Sequence, residues 1–121
     1  MKKRLAINHT EVAGIVTVGL TGRLDIETVP EAKEYLEKLV ERHKGIQIIL
    51  DMAELNYISS FGLSLLIGIL KEARRSGGNM VLARPKQFVV QVIDVANLTP
   101  LLAAYDSLAE AGEALKERDD S

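Results

Sequence analysis

The chain reads as an α/β domain with a mixed, mostly parallel sheet, and three features predict it. "IQIIL", Ile46 to Leu50, is a nearly continuous β-branched run of the kind buried on both faces of a parallel sheet. Segments with apolar residues at helical spacing lie before and after it. The opening segment alternates with a period of two and doubles back, which adds an antiparallel hairpin. The expected order is β-β-α-β-α-β-α-β-α, a single domain over residues 1–121 with right-handed crossovers.

Each element has its own justification. Leu5 to His9 alternates weakly and suits a short edge strand; Glu11, Val12, Ala13 and Gly14 form the turn. Ile15 to Leu20 places Val16, Val18 and Leu20 on one face. In "TGRLDIETVPEA", Thr28 and Glu31 have the spacing of a capping box, and Pro30 fits the first helical turn. Val29, Ala32, Leu36, Leu39 and Val40 then recur along a helix that His43, Lys44 and Gly45 close. Ile46 to Leu50 is the central strand, ended by Asp51, and a second helix runs from about Ser60 to Ser76. Met80 to Ala83 is a strand, and Phe88, Val89, Val92, Ile93 and Ala96 mark a third helix. Leu101 to Tyr105 supplies a short last strand. Ser107, with Glu110 three residues later, opens a fourth helix to about Lys116, followed by a frayed tail over 117–121.

Composition narrows the function. The chain has 121 residues, a net charge of -2 and no cysteine. The mixed charge argues against nucleic acid as a direct partner. The missing thiols exclude disulfides, thiolate metal sites and cysteine catalysis. Met1 to Arg4 is basic, but no long apolar stretch follows, and no run approaches the ~20 residues of a membrane span. A cytoplasmic protein without membrane contact is expected. No P-loop or other cofactor motif appears, so no cofactor is expected.

The informative stretch is "LNYISSFGLSLL", Leu55 to Leu66. Leu55 and Ile58 bring the chain out of the sheet. A serine between strand and helix ordinarily caps the helix, but Ser59 and Ser60 cannot both do so, and one hydroxyl is left over. A nucleophile elbow needs Gly where Ile58 stands, and a histidine late in the chain, whereas His9 and His43 both precede the serines. A small serine hydrolase is therefore an outside alternative. A receiver-type phosphoaspartate at Asp51 lacks the acidic pair after the first strand that would hold Mg²⁺. A phosphorylation site fits better, because helix amides and the helix dipole favour an anion. At about 100° per residue, Ser60, Ser64, Gly68, Lys71 and Arg75 fall within an arc of roughly 80°. Phe61 and Ile67 flank that stripe; Gly62, Leu66, Ile69, Leu70 and Ala73 face the sheet. Small residues let another backbone approach, although Gly68 also suits simple packing against a neighbouring helix.

"GRLDIET" (Gly22 to Thr28), "IILDMAELNYISSFGLSLLIGIL" (Ile48 to Leu70) and "RRSGGNMVLA" (Arg74 to Ala83) together resemble the STAS domain of anti-sigma factor antagonists. The resemblance covers nearly the whole chain. It implies a non-enzymatic protein-interaction switch that binds an anti-sigma factor, often itself a serine kinase. Phosphorylation of a serine at the start of the second helix turns binding off, and a phosphatase resets it. The acceptor maps to Ser60, two residues before Gly62, and Asp25 matches an acid placed near it. The family motif has Asp where Ser59 stands and a small residue where Phe61 stands; Ser59 is an alternative acceptor. The expected contact surface comprises Asp25, Ser59, Phe61, Gly62, Ser64, Ile67, Gly68 and Lys71. The competing reading is a constitutive scaffold or stressosome-type module without phosphorylation.

Overall fold

The computed structural model describes residues 4–119. Five strands lie in one sheet in sequence order: β1 (Leu5–Val12), β2 (Ile15–Leu24), β3 (Gln47–Ile58), β4 (Asn79–Ala83) and β5 (Ala104–Tyr105). β1 pairs antiparallel with β2, and every later pair is parallel. The helices are α1 (Val29–Arg42), α2 (Ser60–Arg75), α3 (Gln87–Val95) and α4 (Leu108–Asp119). The expected order of elements is the observed one. Among the described residues no helix is long and apolar enough to cross a membrane.

The period of two along the strands splits the apolar residues between two cores. Ile48, Leu50, Met80 and Leu82 point to one face, where Leu36 of α1, Leu66 and Leu70 of α2, and Val89 and Ile93 of α3 meet them. Ile49, Val81 and Ala83 point to the other face and are covered by Ala111 and Leu115 of α4. The order is thus three helices, sheet, one helix. It explains why "IQIIL" carries no alternation, since both of its faces are buried.

The structure corrects several boundaries. β1 runs on through Glu11 and Val12, which pair with Val16 and Ile15, so the turn is only Ala13 and Gly14, both at positive φ (53° and 81°). β2 continues to Leu24 and β3 to Ile58; Asp51 does not end the central strand, and Leu55 and Ile58 do not leave the sheet. These extensions pair with each other, Gly22 with Leu55 and Leu24 with Ile58, across two register shifts. Such pairing is non-local and outweighs the low strand propensity of Gly19, Gly22 and Asn56. The Thr28 side chain makes no cap bond to α1, so the capping box is not formed. β5 has two residues, not five. At α4, the Glu110 amide donates to Ser107 Oγ at 3.0 Å, while the Glu110 carboxylate accepts from the amide of Asp106 rather than Ser107. The helix reaches Asp119, inside the stretch expected to fray, and residues 120–121 lie outside the described residues.

Candidate functional site

β2 and β3 end side by side, and their ends carry the site. Leu24 leads into the loop before α1, and Ile58 leads into α2. The Ser59 amide donates to the Leu24 carbonyl at 3.0 Å, which clamps the two exits together. Gly62 then passes close to that carbonyl: a Cβ there would lie 2.8 Å from Leu24 O and 2.9 Å from Ile58 Cγ1. Only glycine fits without displacing backbone, so Gly62 fixes how closely the start of α2 approaches β2. Gly68 differs, because a Cβ there would meet nothing within 4 Å. It does not ease contact with a neighbouring helix.

The two serines divide their work. Ser59 has extended backbone (φ −101°, ψ 175°) and is the N-cap, its Oγ accepting from the Gly62 amide at 3.4 Å. Ser60 is the first helical residue and exposed, and no hydrogen bond engages its hydroxyl among the described residues. The first turn of α2 carries no acid, so its amides and dipole face no anion from the helix itself.

Asp25 is held, not free. Its Oδ1 accepts from the amides of Glu27 (3.0 Å) and Thr28 (3.2 Å), and its Oδ2 accepts from Arg23 Nε at 3.4 Å. Partial burial opposes ionisation, but the two amides and the Arg23 guanidinium outweigh it and hold the carboxyl below the usual carboxylate range. Thr28, buried, accepts from the Asp25 amide through Oγ1 (2.9 Å) and donates to the Arg23 carbonyl (2.9 Å). Its hydroxyl therefore serves the loop instead of capping α1. Arg23 also lies 4.3 Å above the Tyr57 ring. This knit loop holds Ile26 outward, 60% exposed.

Two grooves flank α2. Toward α1, Phe61, Ser64 and Gly68 line a space of about 390 Å³ with Val29, Lys33 and Glu37. Toward α3, Ser60 and Leu63 line a space of about 440 Å³ with Phe88, Gln91, Val92 and Val95. Phe61 is 53% exposed and Ile67 is half-buried against the core. Lys71 is exposed but eleven residues beyond Ser60, about 16 Å along the axis, so the structure does not bring it to the hydroxyl. Arg75 pairs with Glu72 at 2.8 Å.

Both histidines and Asp51 are engaged away from the serines. His9 Nδ1 lies 2.5 Å from Tyr35 Oη, and His43 pairs with Glu11 at 3.3 Å. Asp51 holds Arg84 through both carboxylate oxygens. Among the described residues no three His, Cys, Asp or Glu side chains are grouped to hold a metal ion. Sequence reasoning missed Ile26, Tyr57 and the whole α3 flank. Ile26 had a local signal, an apolar residue between two acids in a turn; exposure of α3 had none.

A family model described as STAS domain matches residues 6–111. The anti-sigma F factor antagonist of Paenibacillus polymyxa is 26% identical over 107 residues, covering 88% of this chain and 92% of that protein. A crystal structure of an anti-sigma factor antagonist from Mycobacterium paratuberculosis matches with a TM-score of 0.83 at 17% identity, over 93% of this chain and 94% of that one. The structure of the Bacillus cell fate determinant SpoIIAA in its phosphorylated form matches with a TM-score of 0.68 at 22% identity, over 90% and 98%. At these identities the two structures speak to the fold alone.

Proposed function

This chain belongs to the STAS domain family, and from that premise we propose that it is an anti-sigma factor antagonist switched off by phosphorylation of Ser60. The observation that carries the reading is the division of labour between the serines. Ser59 caps α2, which leaves the Ser60 hydroxyl exposed and unengaged on a helix N-terminus without acids. Phe61, next in the helix, and Ile26, two residues beyond the Leu24 that Ser59 bonds, are large apolar side chains turned to solvent, as interaction surfaces present them. The relatives support the partner class, since the Paenibacillus polymyxa protein bears the name of an antagonist.

In this reading the protein performs no chemistry of its own. It binds an anti-sigma factor through the start of α2 and the Asp25 loop, and a kinase activity of that partner transfers the ATP γ-phosphoryl to Ser60 Oγ. ADP leaves and the hydroxyl loses its proton. The new group brings about -1.5 to -2 charges, tolerated by the free amides of the first turn but opposed by a dry interface. Uncompensated burial of such a charge costs several kcal/mol. A phosphatase restores the hydroxyl. The hydrolase alternative finds no support: a nucleophile needs its base within hydrogen-bond reach, and among the described residues no hydrogen bond joins Ser60 to His9 or His43.

Ser60→Asp tests the switch. Calorimetric titration against the recombinant anti-sigma factor of the source organism is expected to show at least tenfold weaker binding with an unchanged melting curve. Equal affinity for the variant and the wild type would sink the switch. The second reading, a constitutive interaction module, is favoured by one observation: Phe61 sets a half-exposed ring beside the acceptor hydroxyl.

A further inference from the structure

We infer that β1 is a self-association edge: it pairs antiparallel with β1 of a second copy of this chain, about a two-fold axis at Asn8, and joins the two sheets into one. The inference stands apart from the antagonist reading. β1 ends the sheet, with β2 on one side and no strand on the other. The Arg4 carbonyl accepts from the Arg23 amide at 2.8 Å, and Val12 pairs with Ile15 across the Ala13-Gly14 turn. Backbone groups of the even-numbered residues therefore point at β2, and those of Leu5, Ile7, His9 and Glu11 point outward. Sheets ordinarily blunt such an edge with Lys, Pro or a bulge. β1 has none of these: its sequence is LAINHTEV and its register is continuous over all eight residues. Its one charge, Glu11, is turned to His43.

Three physical points identify the occupant as a second copy. The first is register. About an axis at Asn8, Leu5 meets Glu11 of the second copy and Ile7 meets its His9. All the outward groups are then engaged in about eight N–H···O bonds, with no like charges opposite. The second is charge. Val29, Lys33 and Glu37 of α1 face the α2 groove. On the other flank of α1, Tyr35 reaches His9 of β1, and Glu31, Lys38 and Arg42 share the Tyr35 face at helical spacing. α1 runs beside β1 in the same direction, held at His9 and again where Glu11 meets His43. The two-fold axis therefore sets the acidic end of that flank, Glu31, toward the basic end, Lys38 and Arg42, of the second copy. The third is area. Eight residues make an edge about 27 Å long. The strand with its side chains and the helix beside it are each about 10 Å high. The strip is thus of the order of the ~800 Å² that each partner of a stable dimer contributes. α1 separates it from α2, so each copy keeps its Ser60 hydroxyl open.

The chain has no cysteine, so a single introduced thiol reads the register. Asn8 faces Asn8 of the second copy in a non-hydrogen-bonded pair, with Cα atoms about 4.5 Å apart and within disulfide reach. Under mild oxidation Asn8→Cys is expected to give a disulfide dimer on a non-reducing gel, and Val12→Cys, far from the axis, at least tenfold more slowly. Sedimentation velocity on the wild type is expected to show a dimer at micromolar concentrations. Asn8→Lys sets two cations across the axis and is expected to weaken that dimer at least tenfold, with circular dichroism reporting the fold. Glu31→Lys and Lys38→Glu are each expected to weaken it, and the double exchange to restore it. Glu113→Lys, on α4, should associate within twofold of wild type. In the wild type itself, amide exchange at Ile7, His9 and Glu11 should slow as concentration rises, a readout that needs no variant. A wild type that stays monomeric across that range overturns the proposal. A dimer indifferent to Asn8→Lys, with exchange at Ile7 and His9 unchanged, places the contact on another surface and overturns it too. Equal rates of disulfide formation at Asn8 and Val12 do the same.

Discussion

Helix α2 has one flank anchored by hydrogen bonds within the chain and one flank with few polar groups. On the side of α1 and its loop, Asp25, Thr28 and Arg23 bond one another, Gly62 is pressed against Leu24, and Lys33 and Glu37 line the groove. On the side of α3, Val95 and Gln91 stand open, Val92 is half-buried, and no charged residue lines the groove. The difference separates two jobs. The first flank fixes where Ser60 and Ile26 stand, and water already solvates its outer charges. The second gains from being covered, because apolar area removed from water is worth about 25 cal/mol per Å².

Gly62→Ala strikes the constructed flank hardest. The new methyl would meet a backbone carbonyl at 2.8 Å, and urea denaturation is expected to show a loss of about 2 kcal/mol. A loss under 0.5 kcal/mol would mean that α2 is free to shift, and the contrast between the flanks would weaken. Thr28→Val keeps the volume but removes the hydroxyl that joins the Asp25 amide to the Arg23 carbonyl. A loss of about 1 to 2 kcal/mol is expected, together with faster hydrogen exchange over residues 23–28. Gly68→Ala, six residues along the same helix, should have the opposite sign. Its methyl meets nothing within 4 Å, so helix propensity decides and stability rises by about 0.5 to 1 kcal/mol.

The smallest effect is confined to acid. The fold holds the Asp25 pKa below its ordinary value, so the fold favours the ionised form. Its contribution is complete above about pH 4, the unfolded value, and is lost as pH falls through the lower folded value. Melting temperatures measured from pH 6 to pH 2 should therefore fall more steeply for wild type than for Asp25→Asn. The two curves should converge at the acid end. Parallel curves would mean that the carboxylate does not hold the loop.

Much of this was legible in the chain because the signals were local. The buried run at Ile46 to Leu50, the helical spacing of Leu36, Leu39 and Val40, and the strand-to-helix position of Ser59 and Ser60 each follow from a few neighbouring residues. The elements that were misjudged depend on distant partners. β3 outlasts Asp51 because Glu54, Leu55 and Tyr57 pair with β2, which the local sequence does not announce. Thr28 has the spacing of a capping box, yet its hydroxyl is taken by the loop behind it. Val92 and Ile93 looked alike as helix residues, and only the packed fold shows that Ile93 is buried while Val92 is half-buried.

The central claim is that Ser60, and not Ser59, is the regulated hydroxyl. The direct measurement is to incubate the protein with the recombinant anti-sigma kinase and ATP, then locate the modification by peptide mass mapping. One phosphate on Ser60 is predicted, with Ser59 left to cap the helix. Phosphate on Ser59, or none on either serine while the two proteins still bind, would contradict the account.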